Sequence, residues 1–204
     1  MRTKLALFQI IISLIIINFT FSGCTMIFQK GRRVDVEKIS KLKSELSDLE
    51  RAKKELEERL RKEIADKDVK VEMMDRGLVV TFVAEVLFDS GKADLRSQSF
   101  ATLDKVASVL NTTVKDLNVG VEGHTDDEPI KRSGWKSNWE LSANRALSVL
   151  HYLIDKQNLS PQRLSISGFG EFHPVISNAT KEGRQKNRRV EIVILPKTTK
   201  EGRE

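Results

Sequence analysis

The chain has one cysteine, Cys24, among its 204 residues, so no internal disulfide can hold the fold together. Histidine is scarce too. His124, His151 and His173 are the only three, and without a second cysteine the ligand spacing of a zinc site is absent. No Gly-x-Ser-x-Gly elbow occurs, which removes the commonest sign of a serine hydrolase. Concentrated charge of one sign is also missing. The formal net charge is +6 with a pI near 9.4, but residues 69–195 hold 17 Lys or Arg against 16 Asp or Glu, and residues 29–68 hold 13 against 11. A basic face able to follow a phosphate backbone is therefore not expected, and nucleic acid is excluded as a partner. No metal or other cofactor is expected.

The N-terminus carries an address. Arg2 and Lys4 precede an apolar stretch, Leu5 to Phe21, interrupted only by Gln9, Ser13, Asn18 and Thr20. A positive start and an apolar run ending in small residues read as a secretory signal. The end, Phe21-Ser22-Gly23-Cys24, resembles the lipobox of bacterial lipoproteins. That resemblance implies a signal peptide over 1–23, acylation of Cys24 and a short linker over 24–33. It gives the single thiol a role, since several acyl chains hold a protein at a membrane far better than one. Thr25, where a retention signal would have Asp, implies passage to the outer membrane. A retained transmembrane helix is the alternative, because an apolar run of this length can span a bilayer. Either way the remainder of the chain lies outside the cytoplasm.

Residues 34–68 lack glycine and proline altogether. Ile39, Leu42, Leu46, Leu49, Leu56 and Leu60 fall three and four apart, with Lys53 in the seam, which is an a/d heptad stripe. Glu50–Lys54, Glu55–Arg59, Glu57–Arg61, Glu58–Lys62 and Glu63–Lys67 stand at i,i+4 in the favourable orientation. The pattern predicts a helical, coiled-coil-like spacer reaching about 50 Å at roughly 1.5 Å per residue, with a homo-oligomer through the stripe. An amphipathic helix folded back on the following domain is the alternative.

From Val69 to Leu195 the periodicity is that of a mixed α/β domain. Leu78–Phe88, rich in Val and Phe, reads as a strand after the turn at Asp75-Arg76-Gly77. Phe100, Leu103, Ala107 and Leu110 have helical spacing, and so do Ala143, Leu147, Leu150 and Ile154. Leu117, Val119 and Val121 alternate as a strand between them. Leu164 with Ile166, and Val190 with Ile192 and Ile194, predict two more. The expected fold is an α/β (α+β) sandwich, a mixed sheet with helices on one face in the order β(β)–α–β–α–β–β. Residues 196–204 form a polar tail.

The loops of this domain carry four recognisable pieces of text. They are Gly123-His124-Thr125-Asp126-Asp127-Glu128-Pro129-Ile130, Ser137-Asn138-Trp139-Glu140-Leu141-Ser142-Ala143-Asn144-Arg145-Ala146, Gly168-Phe169-Gly170, and Asn187-Arg188-Arg189-Val190-Glu191-Ile192. In this order, each at an element boundary, they resemble the C-terminal domain of the OmpA/Pal/MotB family from about Leu78 to Leu195. The Asp-Glu-Pro-Ile loop and the Ser-Asn-Trp-Glu-Leu-Ser run resemble the MotB branch more than the Pal branch. The resemblance implies binding of peptidoglycan at the free end of the stem-peptide diamino acid, a zwitterion with an ammonium and a carboxylate on one carbon. It puts Asp126 at the ammonium and Arg145 at the carboxylate, with Thr125, Asn138, Leu141, Ser142 and Arg188 around them. An acid and a guanidinium a few ångströms apart suit that ligand. The residues add their own support. Ser137 and Glu140 read as a capping box, which starts a helix near 138. With Leu147 taken as the core direction, Arg145 and Asn138 point away from the core. Trp135 and Trp139 are candidates to stack on sugar or to cover the core.

The expected function is that of an outer-membrane lipoprotein that binds peptidoglycan non-covalently and tethers the membrane to the wall. Alternatives are a MotB-like stator, or a subunit of a secretion or Tol-like envelope machine. Residues 5–22 contain no Asp or Glu, whereas an ion-driven motor needs an intramembrane acid. Catalysis is not expected, because Asp126, Asp127 and Glu128 share one polar loop and offer no contrast between a buried acid and an exposed base.

Overall fold

A computed structural model describes residues 35–131 and 134–197. The signal peptide, Cys24, the 24–33 linker and nearly all of the polar tail lie outside the described residues. The chain divides into two units, residues 1–44 and 45–204. In the first, residues 35–44 are helical, with Val36, Ile39 and Leu42 exposed.

In the second unit the order is helix to residue 59 (α1, described from 35), α2 Arg61–Ala65, β1 Val69–Met74, β2 Gly77–Val83, α3 Ala84–Leu87, α4 Phe100–Asn111, β3 Asn118–His124, α5 Asn138–Asp155, β4 Leu164–Gly168, α6 Lys181–Asn187 and β5 Arg189–Leu195. The five strands form one mixed sheet in the order β1-β2-β5-β3-β4. Every pairing is antiparallel except β3 with β4, which is joined through α5 as a parallel crossover. Val69, Val71, Leu78, Val80, Phe82, Val119, Val121, Val190, Ile192 and Ile194 present one face of the sheet to Leu103, Val106 and Leu110 of α4 and Ala146, Val149 and Leu153 of α5. Burial of such side chains contributes about 1.5–3 kcal/mol each. The α/β sandwich expected from the sequence is the fold observed.

Three elements differ from their sequence pattern. Leu49, Ala52, Leu56 and Leu60 belong to the same core, so the apolar stripe from 49 to 60 is covered by the domain itself. Lys105 Nζ holds Glu63 at 2.6 Å and Thr113 Oγ1 donates to Glu55 at 2.6 Å, fixing this segment to α4 and the residues after it. Of the five i,i+4 pairs named above, Glu55–Arg59 forms, at 2.7 Å. The spacer expected over 34–68, pairing through this stripe, therefore does not describe residues 49–60, which follow the alternative of an amphipathic helix folded back on the domain. Leu78–Phe88 is not one strand. After Val83 the chain turns into the short helix α3, while the Ala84 amide bonds Arg188 O at 2.9 Å. Helix α5 buries Leu141, Ser142, Arg145, Ala146, Val149 and Leu153, not the stripe through Leu147. Arg145 therefore lies on the inward face and Asn138 is buried as well, a correction to the off-core direction expected for both. The helix offers two apolar stripes, and the buried one is interrupted by polar residues because its first turns pass beyond the core.

Candidate functional site

Two glycines seat α5 on the sheet. A Cβ at Gly123 would lie 2.0 Å from Ser142 O, and one at Gly168 2.6 Å from Ala143 N, so helix backbone rests directly on β3 and β4. Beneath that contact Ser142 Oγ accepts from Gly170 N at 3.0 Å and donates to Trp139 O at 3.0 Å. Thr125 N donates to Gly170 O at 2.9 Å, carrying the β3 connection past the sheet edge. Ser137 caps α5 by accepting from Glu140 N at 3.3 Å, and Glu140 Oε2 accepts from Lys136 N at 2.6 Å.

These constraints bring the text of separate loops to one pocket of about 660 Å³. Thr125, Asp126, Asn138, Leu141, Arg145 and Arg188 all line it, together with Glu85 of α3, Phe88 just after that helix and the segment from Asp89 to Lys92. Ser142, fully buried below, is a brace rather than a wall. Asn138 Nδ2 holds the 126–128 loop through Glu128 O at 3.2 Å and bonds Glu171 Oε2 at 2.6 Å. Trp135 Nε1 donates to Gly91 O at 2.8 Å and steadies another rim, whereas Trp139 is exposed and stacks on Phe172 with centroids 5.0 Å apart.

The charges are distributed unevenly. Arg188 Nη1 bonds Asp126 Oδ2 at 2.6 Å, its Nε bonds Glu85 Oε1 at 2.7 Å, and its Nη2 reaches the same Glu85 oxygen. Asp126 Oδ1 accepts from Glu128 N at 3.3 Å in its own turn. Arg145 is 4% exposed. Its Nε donates to Lys92 O at 2.9 Å and its guanidinium lies 5.3 Å from the Phe88 ring centre, but among the described residues it has no carboxylate in salt-bridge range. Burial lowers its pKa to about 10, with Glu85 opposing and Arg188 adding to the effect, so it stays charged at neutral pH. A buried cation without a counter-ion is costly, and an anion entering the pocket would relieve that cost.

Glu85 carries no signal in the sequence, where it sits inside an apolar run. Only the turn into α3 reveals it.

On the other face of the sheet Glu122 and Glu191 stand opposite each other across β3 and β5. Arg76 bonds both, and Arg189 Nε bonds Glu191 at 2.6 Å. His124 is near enough for the three to resemble a cation site, but guanidinium groups already neutralise both carboxylates, so we assign it no ion. Burial first, then the Arg189 charge, lower the His124 pKa to about 3, so its imidazole is neutral. It stacks on Phe169 with centroids 5.0 Å apart.

Residues 87–188 match the OmpA family. The chain is 37% identical over 157 residues to Motility protein B of Bacillus subtilis (strain 168), covering 77% of this chain and 60% of that protein. It is 36% identical over 140 residues to Probable lipoprotein YiaD of Escherichia coli (strain K12), covering 69% of this chain and 61% of that one. It thus spans about three fifths of the length of both relatives. Among solved structures it resembles the cell wall anchor of the T6SS from Pseudomonas aeruginosa, with a TM-score of 0.62 and 34% identity over 69% of this chain and 96% of the other.

Proposed function

The chain belongs to the OmpA family, and from that premise we propose that its domain binds peptidoglycan non-covalently through the free zwitterionic end of a stem-peptide diamino acid. The observation that carries this reading is Arg145, a buried guanidinium with no carboxylate in salt-bridge range among the described residues, facing a pocket whose other wall holds two carboxylates around one arginine. One wall has a surplus positive charge and the other a surplus negative charge. An α-amino-acid head group has the complementary pair, its carboxylate to Arg145 and its ammonium to the side of Asp126. Thr125, Asn138 and Leu141 shape the space, Arg188 fixes the orientation of Asp126, and Ser142 holds α5 in place. The role is binding rather than catalysis.

The same reading places the domain on an acylated Cys24, facing the periplasm from the outer membrane, with Ile39 and Leu42 available to pair with a second copy. Likeness to a probable lipoprotein supports the anchor. Likeness to a motility protein and to a secretion-system wall anchor supports the second reading, an inner-membrane machine docked to the wall by this domain. Among the described residues no helix is long and apolar enough to cross a membrane. Palmitate labelling that disappears in Cys24→Ser, with the protein in the outer-membrane fraction, is expected. Labelling that survives the substitution overturns the acyl anchor.

Co-sedimentation with purified sacculi tests the binding itself. The 204-residue chain in mild detergent is expected to pellet, and Arg145→Ala to lose about 10- to 150-fold in affinity, the equivalent of a charge-assisted bond of about 1.5–3 kcal/mol. Equal pelleting of wild type, Arg145→Ala and Asp126→Ala overturns the site.

A further inference from the structure

The side of the pocket opposite Arg145 has more acceptor capacity than Asp126 alone provides. Glu85 lies one residue into α3, two residues before the span matched to the family, and the strand-to-helix turn after Val83 brings it to the pocket wall. Its Oε1 takes both the Nε and Nη2 bonds of Arg188. Its Oε2 is tucked against the protein, in a side chain 41% exposed overall, and has no hydrogen-bond partner among the described residues. Asp126, by contrast, has both oxygens engaged, one by Arg188 Nη1 and one by the Glu128 amide. A buried carboxylate oxygen left without a donor is unfavourable by about as much as a lost hydrogen bond. The donor that suits it is a cation from outside, because the nearest protein cation, Arg188, is already shared between two acids.

We propose that Glu85 is the specificity-determining acid of the pocket: its free oxygen accepts the ligand's ammonium and makes the site select a free amino group over an acylated one. This rests on the reading of the pocket given above. The geometry divides the labour between the two acids. Asp126 closes its own turn and holds Arg188, and Arg188 holds Glu85 by one oxygen so that the other remains for the ligand. An N-acylated ligand keeps its carboxylate for Arg145 but offers an amide N–H in place of three ammonium donors, with no charge to offset the surplus on this wall. The ligand class is therefore an amino-acid terminus whose amine is free, and a stem peptide cross-linked through that amine is a poor ligand.

The test uses the 204-residue chain in detergent with two probes, meso-diaminopimelate and its N,N′-diacetyl derivative, in which neither amine is free, by titration calorimetry. Wild type is expected to prefer the free amine by about tenfold or more. Glu85→Gln is expected to bring that ratio close to one, while binding of the acetylated probe changes little. Glu85→Asp, which keeps the charge, should restore part of the preference. If Glu85→Gln weakens both probes equally, the residue only positions Arg188 and the proposal falls. It also falls if the ratio is unchanged. Failure of the underlying reading has a different signature, in which wild type binds neither probe and Arg145→Ala behaves as wild type.

Discussion

The domain contains the same charged inventory twice. In the pocket, Arg145 and Arg188 meet Glu85 and Asp126; on the opposite face of the sheet, Arg76 and Arg189 meet Glu122 and Glu191. Both sets of four are formally neutral, and they differ in connection. On the sheet each guanidinium has a carboxylate, and Glu191, 5% exposed, is held from two sides. Burial alone would raise its pKa, but the bond and charge of Arg189, with the charge of Arg76, outweigh that and hold it below the usual range. In the pocket one arginine serves two acids and the other, among the described residues, serves none. The first arrangement is closed and the second is open, so connectivity, rather than the number of charges, separates a structural network from a ligand site.

The largest effect is expected from breaking the closed set. Arg189→Ala removes the partner of Glu191 where both side chains are almost fully buried. Arg76 still reaches the other Glu191 oxygen, so the loss is expected at the lower end of the range for breaking a buried pair, about 3 kcal/mol, and urea titration of the variant against wild type measures it. A loss below about 1 kcal/mol would mean that this network is no more closed than the pocket.

The open set should respond in the opposite sense. Arg145→Met removes a buried charge that has no counter-ion, so unfolding free energy should change by less than about 1 kcal/mol, while sacculus binding falls by the margin given above. If Arg145→Met is instead as destabilising as Arg189→Ala, then Arg145 is a structural residue and the contrast collapses.

How much of this was legible beforehand depends on what covers each surface. Strand alternation at Val119–Val121 and Val190–Ile194 marked the buried sheet correctly, because a period of two leaves only one face for the core. The loop text led to Thr125, Asp126, Asn138, Leu141, Arg145 and Arg188, and all six line the pocket. What the pattern could not supply was direction. In α5 two apolar stripes compete, and the one that is buried contains Ser142 and Arg145, residues that a count of apolar positions scores as outward. Glu85 was hidden because an apolar run has the same composition whether it continues as a strand or turns into a helix at its end. The stripe from Leu49 to Leu60 suits a second helix and a sheet-and-helix core equally well. Periodicity identifies the apolar face, and only the three-dimensional neighbours identify its cover.

A smaller effect lies beside the closed set and is read through pH. His124 has a folded pKa near 3 against an ordinary value of 6.5, because burial and the Arg189 charge disfavour the imidazolium. The unfolded chain therefore takes up a proton below 6.5 that the folded chain refuses. Stability is fully present above that value and falls as pH drops towards 3, by about 1.4 kcal/mol per pH unit for one proton. Between pH 6.5 and about 4.5 this group acts before the carboxylates do. Unfolding free energy measured across that window should have this slope in wild type and a flatter one in His124→Gln. Equal slopes would place the proton elsewhere.

The smallest effect is expected where the closed set reaches solvent. Arg76 donates to both Glu122 and Glu191, which face each other across paired strands, but its side chain is 37% exposed. Solvent screens such a pair, so the coupling of Arg76 to Glu122 in a double-mutant cycle should be about 0.2–1 kcal/mol and should shrink with added salt. That places it well below the more deeply buried Arg189–Glu191 contact, although the charges are the same. A coupling of 3 kcal/mol or so that is insensitive to salt would show that the outer arginine is held as firmly as the inner one. Exposure would then not grade this network, and the contrast with the pocket would rest on Arg145 alone.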